Sequence, residues 1–218
     1  MLPRIGHKQS LSDHAYVVIK EAILNNTFKP KDVLLEESIA EMLGISRTPL
    51  RTALKRLEFE KLVFINSSKQ AVVAEIHQED MIKVFVFRLA VEPMISRLAC
   101  DTRTEEHLTQ IESCLARNDI AIKEKNLVDI IACELEFDSL LVACTDNEFL
   151  ADSTSTIHRY MHRFLSLSTT TYSDAFGSIE EHYHILNTVR ARNAAEAEKC
   201  TRFHVHQVAL RLKFDLPV

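Results

Sequence analysis

Glycine is scarce in this 218-residue chain, limited to Gly6, Gly44 and Gly177, and tryptophan is absent. Glycines so few and so scattered cannot build a Gly-rich phosphate loop. No apolar run approaches the about 20 residues that a membrane helix requires, so no membrane partner is expected. The N-terminal MLPRIGHKQS has neither the apolar stretch nor the small-residue cleavage site of a secretory signal, which points to the cytoplasm. The five cysteines, Cys100, Cys114, Cys133, Cys144 and Cys200, form no C-x-x-C pair. With nothing nearby to activate a thiolate, they read as reduced core thiols. Internal repeats and low-complexity segments are also missing.

What is present is divided unevenly. The formal net charge is −5, yet residues 1–76 carry +2 and residues 77–218 carry −7. Only the first part has a balance that a polyanion would tolerate. Apolar periodicity predicts helices near 10–26, 36–43, 47–60, 79–100, 104–117, 127–145, 147–168, 178–191 and 193–213. Strand character is almost confined to Leu62–Ile76, which reads as a two-stranded hairpin around Ser67, Ser68, Lys69 and Gln70. The chain is therefore expected to be mainly α, with a domain of residues 1–76, a second of 77–218, and a boundary near Ile76–Glu79. The polar run Ser166–Ser173 interrupts the helical pattern and reads as a solvated connection whose hydroxyls could also reach a ligand.

Residues 36–60, EESIAEMLGISRTPLRTALKRLEFE, are the most specific stretch. A short helix with apolar Ile39, Ala40 and Leu43 ends at Gly44, which can take the left-handed conformation of a tight turn. Ser46 is placed to cap a second helix by accepting a hydrogen bond from a first-turn amide, and Pro49 falls within that turn. Leu50, Ala53, Leu54 and Leu57 mark its buried face, while Arg47, Arg51 and Lys55 recur every fourth residue on the exposed side. A surface helix with solvated cations would look similar. The glycine turn, the cap and the following hairpin together favour a helix-turn-helix, whose second helix enters the major groove of DNA.

These residues bring out a resemblance: positions 1–76 are similar to the DNA-binding domain of the GntR family of bacterial regulators. It runs from AYVVIKEAIL through FKPKDVLLEESIAEMLGISRTPLRTALKRLEFEKLV to the wing ending VVAEI, and is most specific at Ser46, Arg47, Thr48, Pro49, Leu50 and Arg51. The resemblance implies a winged helix-turn-helix in which Arg47, Thr48 and Arg51 face operator DNA and Lys55 its phosphates. The chain departs from the family pattern in having Asn26, Lys31, Lys61 and Gln70 where glycines are usual. Asn26 can still turn left-handed. A side chain at Gln70, on the wing tip, affects how closely the hairpin can approach the minor groove.

Residues 79–213 resemble the FCD effector domain of the FadR subfamily, an antiparallel all-helical bundle around a polar cavity. The segments that carry this are Phe87–Pro93 (FRLAVEP), Glu181–Leu186 (EHYHIL) and Arg202–Val205 (RFHV). Many FCD domains hold a divalent metal with one Asp and three His, and those positions fall here on Glu134, Asp138, His182 and His204. A spacing of four puts both carboxylates on one helical face. Imidazole with carboxylate suits zinc, nickel or manganese. Read without the resemblance, the same four are a solvated carboxylate pair and two satisfied core histidines. His158, His162, His184 and His206 read mostly as surface residues. Arg88 could grip the carboxylate of a small organic acid, or pair with Glu92 one turn away.

The expected function is a ligand-responsive DNA-binding transcriptional regulator, a repressor controlled by a small organic acid and acting as a homodimer. The alternative is a metal-dependent enzyme using the bundle site. No nucleophile speaks for it.

Overall fold

The computed structural model describes residues 10–167 and 172–217, with side chains absent from the description at 172–176. By contacts the chain separates into Met1–Ile76 and His77–Val218.

In the first unit, α1 (Leu11–Leu24) starts at a capping box in which the Ser10 hydroxyl accepts from the Asp13 amide and the Asp13 carboxylate accepts from the Ser10 amide. A two-residue strand, β1 (Val33–Leu34), leads into α2 (Glu36–Leu43) and α3 (Arg47–Phe59). The turn between these helices needs a left-handed residue, and Gly44 supplies it at φ 63°. Ser46 has the extended backbone of an N-cap but its side chain caps nothing, contrary to expectation. The reason is local. An N-cap hydroxyl usually accepts from the second or third helical amide, and the third residue is Pro49, which has none.

Strands β2 (Val63–Ile65) and β3 (Ala71–Val73) form the expected hairpin, and β1 adds to it in the order β1-β3-β2. Periodicity could not reveal β1, because two residues show no alternation. Asn26, Lys31 and Lys61 all take the left-handed conformation, at φ 61°, 74° and 57°. At the wing tip that role falls to Lys69 (φ 60°) rather than Gln70. The core joins Ile19 and Ile23 of α1 to Leu50, Ala53, Leu54 and Leu57 of α3, with Leu34, Val63 and Val73 of the sheet beneath. The buried face of α3 is the one its periodicity predicts.

The second unit consists of α4 (Gln78–Thr102), α5 (Glu105–Glu124), α6 (Leu127–Ala143), α7 (Glu148–Leu167), α8 (Tyr172–Arg190) and α9 (Ala194–Arg211). Helices α5 and α8 are longer than expected. Of the polar run Ser166–Ser173, two residues close α7 and two open α8, while 168–171 lie outside the described residues. Pro93 sits inside α4 without ending it. A proline there frees the carbonyl of Leu89, and the Arg202 guanidinium of α9 donates to that oxygen at 3.3 Å. The apolar core runs through Ile95, Ile111, Leu115, Phe137, Ile185 and Val189. All five cysteines are free thiols, four of them buried. Burial pushes Cys114 up to about 12 and Cys144 to about 11, so neither is a ready nucleophile.

Candidate functional site

Two polar regions stand out, one exposed and one buried. On α3, Arg47, Thr48, Arg51 and Lys55 are all exposed, held outward because Leu50, Ala53, Leu54 and Leu57 occupy the opposite face. The two arginines are not bare. Arg51 donates through Nε to both oxygens of Glu36, at 3.0 and 2.8 Å, and Arg47 pairs through Nη2 with Glu37 at 3.0 Å. These glutamates open α2, and the sequence reading missed them. Four-residue periodicity on α3 says nothing about what α2 places opposite. A groove of about 440 Å³ runs between them, lined by Glu36, Glu37, Arg47, Arg51, Lys69 and Gln70. Arg56, on the same helix, serves the fold instead. It pairs with Asp13 at 2.6 Å and lies 3.8 Å over the Tyr16 ring, tying α3 to α1.

The buried region centres on Arg88. Its Nε donates to Glu92 Oε1 at 2.6 Å and Nη2 to Glu92 Oε2 at 3.1 Å, and Nη2 also reaches Asp138 at 3.4 Å. Burial works against the guanidinium charge, but Glu92 and Asp138 outweigh it and hold Arg88 above its ordinary range. Asp138 is pushed up to about 6 by burial, against the pull of Arg88. Burial also raises Glu134, whose oxygens accept from Asn118 (2.9 Å) and Ser178 (2.7 Å).

His182 and His204 lie against each other, their Nε2 atoms 3.3 Å apart, and His182 stacks on Phe137 at 3.9 Å. Burial drives both imidazoles neutral, His182 down to about 3 and His204 to about 4. Glu181 opposes burial with hydrogen bonds from Arg211 and His204, which hold it down to about 2. These charge states assign the tautomers. An ionised Glu181 can only accept, so His204 donates from Nδ1 (2.8 Å) and its Nε2 must accept from His182. The Nδ1 of His182 is then a bare lone pair, buried without a partner, with Glu134 Oε1 3.9 Å away.

A metal shared by Glu134, Asp138, His182 and His204 does not fit this arrangement. Only the imidazoles meet, and His182 offers opposite ring nitrogens to His204 and Glu134. Asn118 and Ser178 occupy Glu134, and Asp138 is drawn to Arg88. Among the described residues no three His, Cys, Asp or Glu side chains converge as metal ligands.

His158 belongs to this centre rather than to the surface. It is largely buried on α7, with Nε2 4.0 Å from Asp138 and Nδ1 3.3 Å from Ser139. Thr154, one turn earlier on α7, is buried as well, and its hydroxyl gave no sign of that in the sequence. Beside the cluster is a cavity of about 10 Å³ bounded by Glu92, Ser96, Asp138, Thr154, His158 and His204. That is room for a single water molecule.

Comparison with known proteins accounts for both regions. Residues 11–73 match the family described as bacterial regulatory proteins, gntR family, and residues 83–207 match the FCD domain. An HTH-type transcriptional regulator of Bacillus subtilis, YdhC, is 27% identical over 92% of this chain and 90% of its own. The HTH-type transcriptional repressor RspR of Escherichia coli is 22% identical over 94% of this chain and 90% of its own. Among solved structures, E. coli McbR/YncC superposes with a TM-score of 0.81 at 20% identity, covering 94% of this chain and 98% of that one. A GntR-type regulator from Rhodococcus sp. reaches the same score at 17% identity, covering 92% and 97%. At these identities the structural likeness speaks for the fold. The matched families and relatives are regulators, so the enzyme alternative is set aside. With the FCD match alone spanning more than half of the sequence, the chain belongs to the GntR family of bacterial transcription regulators and carries an FCD domain behind its DNA-binding domain.

Proposed function

We propose that this chain is a cytoplasmic, homodimeric repressor that reads operator DNA with Arg47, Thr48 and Arg51 and grips phosphate with Lys55. The observation that carries the reading is the exposed basic face of α3, opposite the Leu50, Ala53, Leu54 and Leu57 that the same helix gives to the core. Arginine near the start of such a helix can donate two hydrogen bonds to guanine O6 and N7. A single helix reads few base pairs, and a two-fold protein matches a palindromic site. A second copy has a face to use. Val86, Met94 and Leu98 of α4 and Phe203 and Leu210 of α9 are exposed apolar residues on two helices that pack together. The repressor role draws on the relative of that name.

The second unit is the sensor in this reading, and Arg88 is its anchor for a small organic acid. Because Glu92 already holds Nε and Nη2 of Arg88, an effector carboxylate that takes those two donors displaces it. Because the adjacent cavity admits one water, the bundle must also open to admit the effector. A ligand that binds only an opened bundle shifts the population toward it, as a sensor requires. Selection from random duplexes tests the DNA reading. The chain should enrich a palindrome with half-sites about one helical turn apart. Enrichment of no sequence, or a monomer on the selected site in sedimentation, would overturn it.

A further inference from the structure

We propose that the two glutamates opening α2 prepare the arginines of the recognition helix in opposite ways: Glu36 positions Arg51 for base reading, and Glu37 competes with DNA for Arg47. This rests on the reading of α3 given above. The distinction lies in which guanidinium nitrogen each glutamate holds. Both oxygens of Glu36 take the Nε of Arg51, at 3.0 and 2.8 Å. The forked end, Nη1 and Nη2, is left without a partner among the described residues. A guanidinium pinned at Nε presents that fork in a fixed plane, and two coplanar donors are what guanine O6 and N7 accept. Arg47 is held the other way round. Glu37 meets Nη2, at 3.0 Å, so it sits on the fork itself.

Exposure separates the pairs in the same sense. The Glu36 side chain is 31% exposed and that of Glu37 is 83% exposed. Glu36 is packed enough to hold an orientation, while Glu37 is a solvated counterion that DNA can displace. Both line the groove that also contains Lys69 and Gln70 of the wing. On approach of DNA, Glu36 therefore stays with Arg51 and the pair enters as a unit. Glu37 leaves Arg47, and its negative charge then opposes the phosphates.

The two substitutions should act with opposite signs. Glu36→Gln removes the charge that pins Nε, so the preference for guanine at the Arg51 position should fall by about tenfold on the selected site. Glu37→Gln should strengthen binding to specific and random duplexes alike by about two- to fivefold, the scale of an exposed ion pair. Fluorescence anisotropy on the selected duplex and on its single-base variants reads both effects, with thermal melting as the check on folding. Combining Glu36→Gln with Arg51→Ala separates positioning from general electrostatics, because once Arg51 is gone the Glu36 change should cost no further base preference. If Glu36→Gln raises affinity uniformly, as Glu37→Gln is expected to, Glu36 is a counterion and the inference falls. If Glu37→Gln weakens binding, Glu37 supports Arg47 and the inference falls on that side. Should Arg47→Ala and Arg51→Ala themselves leave base preference unchanged, the reading of α3 is what fails.

Discussion

The pair Arg51–Glu36 and the pair Arg88–Glu92 are the same chemistry in two settings. Arg51 is 61% exposed, whereas Arg88 is 4% exposed. An exposed ion pair contributes at most about 1 kcal/mol, so its arginine can trade a carboxylate for a base at little cost. A buried guanidinium cannot be left alone, because its desolvation is offset only while its partners stay in place. Solvent thus decides what each arginine is for. The first unit keeps its cations where they can be exchanged, and the second locks one cation among Glu92, Asp138 and Met161.

The most severe way to break this contrast is to remove the buried cation. Arg88→Ala should destabilise the second unit by about 3–5 kcal/mol, read as a lower denaturation midpoint, because Glu92 and Asp138 would be stranded. Arg88→Met with Glu92→Leu should recover part of that loss, since only Asp138 is then left without its cation. Comparable losses from the single and the double variant would mean that the cluster contributes through packing rather than charge.

Acid sharpens the comparison next. The unfolded chain takes up protons on His182 and His204 near the ordinary value of 6.5, while the folded chain resists until about 3 and 4. Stability present above 6.5 is therefore lost as pH falls toward 4, on the order of 1 kcal/mol per pH unit for each histidine. Asp138 works in the opposite direction. Held up at about 6 against an ordinary 3.8, it contributes stability that is full below 3.8 and lost as pH rises through 6, so it offsets part of the histidine loss. Hydrogen exchange at pH 7.5 and pH 5 should show α8 and α9 loosening while α1 and α3 hold. Equal loosening of all four helices would place the sensitivity elsewhere.

In the exposed pair, substitutions should alter DNA binding and spare the fold. Arg47→Ala or Arg51→Ala should cost about 1–3 kcal/mol on the cognate site and relax its sequence preference. Lys55→Ala should weaken all sequences alike and flatten the salt dependence by about one unit of slope. An unaltered slope would remove Lys55 from the phosphate-contacting set. The smallest effect is expected from metal. Zinc, nickel or manganese, added to protein treated with chelator, should leave the melting midpoint unmoved. A raised midpoint with one ion per chain would mean that Glu134 and Asp138 can abandon Asn118, Ser178 and Arg88 to join the histidines.

Much of the fold was legible because its determinants are local. The apolar spacing of Leu50, Ala53, Leu54 and Leu57 defines the buried face of α3, and Gly44 has the freedom that the turn before it demands. The helices of the second unit follow from the same periodicity, and the wing from alternating strand residues around a polar turn. Other features were decided by elements distant in sequence. Strand β1 exists because β3 offers it an edge, through pairs such as Val33 with Val72. In the buried centre, spacing alone brought Glu134 and Asp138 to one face of α6, but it could not tell which partners α4, α5 and α8 would bring. Arg88 came to Asp138, while Asn118 and Ser178 came to Glu134. His158 was drawn in from α7, and Glu36 and Glu37 came to face the arginines of α3. Apolar burial is non-directional, so a pattern along one helix is enough to orient it. Hydrogen bonds and ion pairs are short and directional, so their partners are fixed only once the helices have packed.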